Sequence, residues 1–553
     1  MKEFIQAPKQ IYQKAKKQGR LIEGKSLKEL KEIASKQNNV ILTQMGSISA
    51  DSEPMSRSAP KTKNSIDDKF GEEERKLANL AEKTLCQEKI ISLDVPVGES
   101  SKGISARFII PEKYAQLAYG LKLLFGSLKK SIKENPTYQI VFFTDEAFES
   151  NKKYKDVREK DITIRLWLGQ KRGEQVKICR NSIYLGEAKK GVFQFENWRV
   201  KTIDKEGIFL HAGARRDLLW KHNYSTGKPE LKKIVTAVAG LTDTGKTVTL
   251  CQRLAKFPEE KSEMIGDDGG TFGFSGDFST FEGNGLYVST EKLDGKNQPD
   301  IYQAVLYPDV FFENVSYFSK IQVYPVPKQK KGHIRYLYVP DFHNLTKTTN
   351  GRAVIVRKNL KIASDNLTVP QINNIFIITR NPLINVISKL TPEQATMQFI
   401  YGESIESSGG NPAEAGQFKR VFFLDPFVSG DRIEHAMIFY EFLKKNPHIQ
   451  CFLINTGTIG EIETNISLRD SLIVYNDLLR GRIEFSAKPD ILGYHYPIQC
   501  NKADLNTLVA QTQFKKKILE KKVKNFLKDR ENYLQELEIK GKKIPSQLKD
   551  SLR

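Results

Sequence analysis

The stretch that most limits what this chain can become begins at Ile234. It reads IVTAVAG, continues as Leu241-Thr-Asp-Thr-Gly-Lys-Thr247, and passes into VTLCQRLAKF. A short β-branched apolar run, a turn of fixed length bounded by glycines and then a helical pattern describe a buried strand whose turn opens a helix. Residues 240–247 match GxxxxGK[ST] in that context, the pattern of a phosphate-binding loop. In such a loop the backbone N–H groups of Gly240, Thr242, Asp243, Thr244 and Gly245 surround a phosphate. Lys246 then neutralises charge between the outer phosphates, and Thr247 offers its hydroxyl to Mg²⁺. Asp243 is unusual there, because a carboxylate inside the loop must point outward or be neutralised. About twenty residues on, Glu263-Met-Ile-Gly-Asp267-Asp268 reads as a strand end delivering two carboxylates. Asp267 and Asp268 are the natural candidates for the second, metal-directed acidic motif.

The rest of the chain has to be compatible with that element. At 553 residues it is too long for one small domain. With 39% hydrophobic and 10% aromatic residues it is not a disordered chain. Charges interrupt every candidate apolar run before the ~18 residues a membrane span needs. The N-terminal MKEFIQAPKQIYQKAKKQGR has lysines but no apolar run behind them, so no secretory signal is expected and the expected location is cytoplasmic. The five cysteines are widely spaced with no CxxC pair, which fits reduced thiols rather than a disulfide framework.

A formal charge of +21 leaves open a nucleic-acid footprint, a site for anionic small molecules, or a lysine-rich surface. No RNA-binding signature or helicase-type motif series accompanies it, so a nucleic-acid partner is not expected. The most basic segment, 511–553, carries 13 Lys/Arg and 6 Asp/Glu, with Leu519, Val523, Phe526, Leu527, Leu534 and Leu537 on one helical face. It reads either as a basic helix for a partner or as a terminal helix docked on its own domain with its lysines solvated.

Short β-rich runs between Leu85 and Arg199 (ARFII, YQIVFF, DITIRLWL) flank a helical pattern in YAQLAYGLKLLFGSLKKSI, as expected of a mixed α+β domain. Later buried-strand candidates are INNIFIITR, RVFFLDP and IQCFLINT. The polar stretch MGSISADSEPMSRSAPKTKNS reads by composition alone as a linker.

Nine segments in order, SRSAPKTK, YLGEAKKGVF, GLTDTGKT, IGDD, FEGNGLY, QPDIYQAV, TTNGRAVI, SKLTPEQATMQFIYG and INTGTIG, resemble those of ATP-dependent phosphoenolpyruvate carboxykinases. The resemblance runs over roughly residues 20 to 490. It implies a bilobal α/β (mixed α+β) fold with a C-terminal phosphate-loop nucleotide-binding domain. The corresponding division is 1–212 for an N-terminal substrate-side domain, 213–505 for the nucleotide-binding domain and 506–553 for the basic tail. It also implies conversion of oxaloacetate and ATP, or another nucleoside triphosphate, to phosphoenolpyruvate, CO₂ and ADP, a gluconeogenic step, with Mg²⁺ and a transition metal such as Mn²⁺.

Carried onto this sequence, Arg57 holds the substrate carboxylate and Tyr184 lies near the carboxylate that leaves as CO₂. Lys190, His211 and Asp268 are metal ligands, with Thr247 on the nucleotide-bound cation. Arg352 faces both substrate and transferring phosphoryl group, and Lys246 and Asp267 complete the catalytic set. A lysine ligates a metal only as its neutral amine, which a bound cation itself favours. Gln298, Asn465 and Ser471 fall on the nucleotide side, Gln298 where the family has a ribose-side glutamate and Asn465 where it has an arginine against adenine. Gly269, Gly270, Thr271 and Phe272 follow IGDD in place of Glu-His-Gly-Trp, Ser289 stands for a phosphate-contacting lysine, and LHAGAR stands for HCSAN. These departures keep two readings open: a divergent carboxykinase, or a homolog repurposed to bind nucleotide or metal as a regulatory or interaction protein.

Overall fold

In a computed structural model the chain folds as a mixed α/β protein, described here for residues 1–52, 61–128, 136–150, 161–223, 226–241, 244–323, 335–344, 350–405, 417–501 and 503–552. Its contacts separate into two compact units that interleave along the sequence: 1–203 with 281–361, and 204–280 with 362–553. The cuts expected at 212 and 505 therefore differ from the contact-based division. Residues 281–361 return to the first unit, and the C-terminal segment belongs to the second.

The first unit holds a seven-stranded mixed sheet ordered Leu21–Ile22, Ile90–Pro96, Ser105–Pro111, Tyr138–Phe143, Gln175–Arg180, Thr163–Trp167 and Thr62–Asn64. The runs ARFII, YQIVFF and DITIRLWL supply three of its five interior strands. Helices Lys2–Lys17 and Glu72–Leu85 cover one face, packing Phe4, Ile11, Leu77 and Leu85 onto Ile109, Val141 and Val176. The Leu-rich pattern folds as the helix Ala115–Phe125.

A second sheet of this unit is ordered Gly285–Ser289, Arg352–Val356, Phe311–Glu313, Ile48–Ala50 and Val40–Leu42. Ile48–Ala50 lies inside the stretch that composition marks as a linker. It becomes a strand because it pairs in parallel with Phe311–Glu313, more than 260 residues away in sequence, a long-range partner that local composition does not register.

The second unit is built on a six-stranded sheet ordered Lys261–Gly266, Ala212–Asn223, Lys228–Ala239, Asn374–Thr379, Gln450–Asn455 and Ile387–Leu390. Lys228–Ala239, Asn374–Thr379 and Gln450–Asn455 run parallel, so their carboxyl ends share one edge of the sheet. The helix expected after the loop is shorter than its pattern: it spans Lys246–Leu250 only. Arg215, fully buried and paired with Asp217 at 2.7 and 2.8 Å, donates to the carbonyls of Thr249 and Gln252 and so satisfies the end of that turn.

RVFFLDP does not form the expected strand. The paired strand Phe418–Arg420 ends at the first residue of that run, and Phe422, Phe423 and Leu424 make a tight turn with Phe423 at φ 58° and Leu424 at φ 53°. A strand would alternate these side chains between two faces, whereas the turn buries all three on one core, with Phe423 stacked 5.1 Å from Phe399.

The tail folds as the helix Lys516–Lys540 and docks on its own unit. Val523, Phe526, Leu534 and Leu537 are buried in the core, with Leu519 and Leu527 packed against it. Among the described residues, no helix is long and apolar enough to cross a membrane.

Candidate functional site

The second unit gathers the loop, the acidic pair and the histidine. Gly240 follows Ala239 at the end of its strand. Thr244 turns back on Leu241, its hydroxyl donating to the Leu241 carbonyl at 2.7 Å. Gly245 takes φ +101°, a conformation that favours glycine, and starts the helix that carries Lys246 and Thr247. Thr242 and Asp243 lie outside the described residues.

The strand Lys261–Gly266 ends directly at Asp267 and Asp268. Lys246, 5% exposed, places its Nζ 2.7 Å from Asp268 Oδ1, and Thr247 Oγ1 donates to Asp267 Oδ2 at 3.1 Å. His211, between the strands Gly207–Leu210 and Ala212–Asn223, brings Nε2 to 3.0 Å from the same Asp268 oxygen. Its Nδ1 lies 2.9 Å from the Leu424 carbonyl, which the left-handed turn presents to it. A carbonyl oxygen only accepts, so Nδ1 carries a hydrogen and Nε2 is the nitrogen a cation would engage. The imidazole nitrogen and the carboxylate thus fit a divalent cation in chemistry and spacing. Among the described residues, no group of three His, Cys, Asp or Glu side chains forms a metal-binding cluster.

The first unit assembles another set. Tyr184, 4% exposed, caps the start of the helix Leu185–Trp198, which carries Lys190. Lys190 Nζ lies 5.6 Å over the Tyr184 ring and 3.7 Å from Glu187 Oε2. Its neighbour Lys189 is buried against Glu282 at 2.7 Å. Glu313 accepts from the Leu185 backbone N–H at 3.0 Å and from the Tyr287 hydroxyl at 2.6 Å. Burial, reinforced by that carboxylate, holds the Tyr287 phenol well above its ordinary value, so it remains a donor. Arg352 opens the strand Arg352–Val356, paired across the sheet with Ser289 on one side and Glu313 on the other, its Nε 3.2 Å from Asn350 Oδ1.

The other expected positions are spread. Arg57 lies outside the described residues. Gln298 caps the helix Pro299–Ala304 in the first unit. Asn465 is exposed in the short strand Thr464–Asn465, and Ser471 is buried in the helix Leu468–Leu479 of the second unit. Glu282, Tyr287 and Glu313 were not singled out by sequence. Two of them sit inside FEGNGLY, where the spacing Glu282 to Tyr287 was available as a signal; Glu313 had none.

A sequence profile described as phosphoenolpyruvate carboxykinase matches residues 20–506. The chain belongs to this family. Relatives named phosphoenolpyruvate carboxykinase (ATP) include that of Christiangramia forsetii, 26% identical over 366 residues, covering 64% of this chain and 60% of the relative. That of Aeropyrum pernix is 26% identical over 53% of this chain and 54% of its own length. That of Leptospira biflexa is 24% identical over 77% of this chain and 73% of its own. The first three matched relatives are covered over 60%, 52% and 54% of their length. The carboxykinase match takes in both sets of site residues and ends before the helix Lys516–Lys540.

Proposed function

We propose that the chain is an ATP-dependent phosphoenolpyruvate carboxykinase, converting oxaloacetate and ATP to phosphoenolpyruvate, CO₂ and ADP in the gluconeogenic direction. The observation that carries the reading is the convergence of Lys246 and His211 on one oxygen of Asp268 at 2.7 and 3.0 Å, beside the Thr247–Asp267 pair. A loop lysine, a loop hydroxyl, two carboxylates and an imidazole in contact are the parts that bind a metal-complexed polyphosphate.

In this reading His211 and Asp268 would hold Mn²⁺, and Thr247 with Asp267 would serve Mg²⁺. Bound there, divalent cations supply Lewis-acid stabilisation of negative charge. Lys246 neutralises charge on the outer phosphates as they take it up. Arg352 orients anionic groups with a guanidinium held by Asn350, and Arg57 binds the dicarboxylate end of the substrate. Tyr184, nearly buried, lies near the carboxylate that departs, and Tyr287, whose hydroxyl donates to Glu313, holds that glutamate in place. The protein's part is positioning and electrostatics, which together account for most of the acceleration in such transfers.

The test is phosphoenolpyruvate formation from oxaloacetate by purified protein with ATP, GTP and other triphosphates in Mg²⁺ and Mn²⁺. Activity with ATP that falls at least a hundredfold in Lys246→Ala and in His211→Ala supports the reading. No product with any nucleotide refutes it.

A further inference from the structure

The carboxyl edge of the parallel strands carries one more cation beside the loop. Along that edge Ala239 pairs with Ile377, Ile377 with Leu453, and Thr379 with Asn455, so the chain leaves the sheet side by side as Gly240, Arg380 and Thr456. Ligands of open α/β sheets bind at that edge. Thr456 is tied to the loop, its hydroxyl donating to the Thr244 carbonyl at 2.7 Å, and Arg380 Nε lies 3.5 Å from the same hydroxyl.

The arginine's stem lies against Gly457, and the turn that follows it is held by Asn455. A Cβ at Gly457 would come within 2.9 Å of the Arg380 Cβ and 3.1 Å of its Cγ, so only glycine leaves the stem its path. Asn455 donates to the carbonyls of Asn381 and Ile384 at 2.8 and 2.9 Å, holding the turn that follows Arg380. The Arg380 side chain therefore starts against Gly457 and passes Thr456, its Nε beside the hydroxyl that bonds the loop.

The chemistry of the loop needs such a group. Its helix has only five residues, so the helix dipole offers a phosphate little charge, and the loop sequence itself contains Asp243. We propose that Arg380 is a phosphate-binding residue that engages the outer phosphates of the nucleotide together with Lys246, its planar fork giving bidentate recognition where Lys246 gives a point charge. The proposal rests on the nucleotide reading above.

The test is equilibrium binding of ATP, ADP and AMP, each with Mg²⁺, to the full chain and to Arg380→Ala, Arg380→Lys and Arg380→Ala with Asp243→Gly, each checked by its thermal unfolding midpoint. Arg380→Ala is expected to weaken ATP and ADP about tenfold or more and AMP less than about twofold, with Arg380→Lys between, because loss of one charge-assisted contact is worth at least that factor. If the alanine variant does not fold, Arg380→Gln carries the same expectation. Unchanged ATP affinity overturns the proposal, and so does an equal loss for all three nucleotides. Full recovery on adding Asp243→Gly also overturns it, since Arg380 would then serve only to neutralise that carboxylate. Wild-type protein that binds none of the three overturns both this proposal and the nucleotide reading.

Discussion

Asp268 is the residue on which the site turns, because a single oxygen serves Lys246 and His211 while its carboxylate remains 26% exposed. Asp268→Asn keeps the shape and removes the charge. It is expected to weaken Mn²⁺ binding by at least the 10- to 100-fold lost when a ligand's supporting partner is removed, read by the free Mn²⁺ signal in electron paramagnetic resonance. Binding unchanged within about twofold would show that Asp268 is not a ligand. Lys246, Thr247 and the acidic pair are legible in sequence, because fixed spacing between a strand, a loop and a helix encodes their meeting. One participant is not. The Leu424 carbonyl orients His211 from within RVFFLDP, whose apolar run reads as a strand; a backbone acceptor has no side-chain signature, and the left-handed turn at Phe423 and Leu424 is imposed by the aromatic core around it. Arg380 escapes because it directly follows the strand Asn374–Thr379 and belongs to no motif.

Two buried ion pairs fix elements of the second unit, and each yields a prediction. The tail helix is held by Arg530, whose guanidinium meets Glu403 at 2.7 Å in a fully buried pair bordered by Tyr494 and Phe526. Burial alone would raise the Glu403 carboxyl, but Arg530 and Arg420 hold it below its ordinary value. Arg530→Leu leaves that carboxylate without its principal partner and should cost about 3–5 kcal/mol in chemical denaturation, whereas a loss within ~0.5 kcal/mol would show that the helix docks by its apolar stripe alone. The stripe was legible from its 3.6-residue period; the ion pair was not, since nothing local relates Glu403 to Arg530. The second pair joins Glu260 to Arg480, Nη2 to Oε2 at 2.8 Å, after the short loop helix. Burial opposes ionisation of Glu260, yet hydrogen bonds from Arg480 and from the backbone of Lys256 and Trp220 hold its carboxyl down at about 2. A depressed value contributes stability above the unfolded value of about 4.3 and loses it as pH falls toward 2. The thermal midpoint should therefore drop across that window, and Glu260→Gln, itself less stable at pH 7, should flatten the drop; an equally steep profile in the variant would assign the loss to other groups.

At the scale of the whole chain, two units interleave. Residues 281–361 rejoin the first, bringing Glu282, Tyr287, Glu313 and Arg352 to the helix that carries Lys190, while His211, Lys246 and Asp268 stay in the second. The mixed α/β class and the order of motifs were legible because each motif encodes a local turn or strand end. The interleaving was not, because which sheet a strand joins is decided by distant partners, as Phe311–Glu313 pairing with Ile48–Ala50 illustrates. The +21 charge is now partly assigned: Lys246, Arg352 and Arg380 are proposed to bind anions, Arg215, Arg480 and Arg530 are structural, and the tail's lysines belong to a docked helix. The claim uniting these observations is that the chain makes phosphoenolpyruvate. Following ¹³C-labelled oxaloacetate by nuclear magnetic resonance, with ATP, Mg²⁺ and Mn²⁺, tests it most directly. Phosphoenolpyruvate and ADP are expected to appear in equal amounts, dependent on both protein and nucleotide; labelled pyruvate alone, at the rate seen without protein, would contradict the claim.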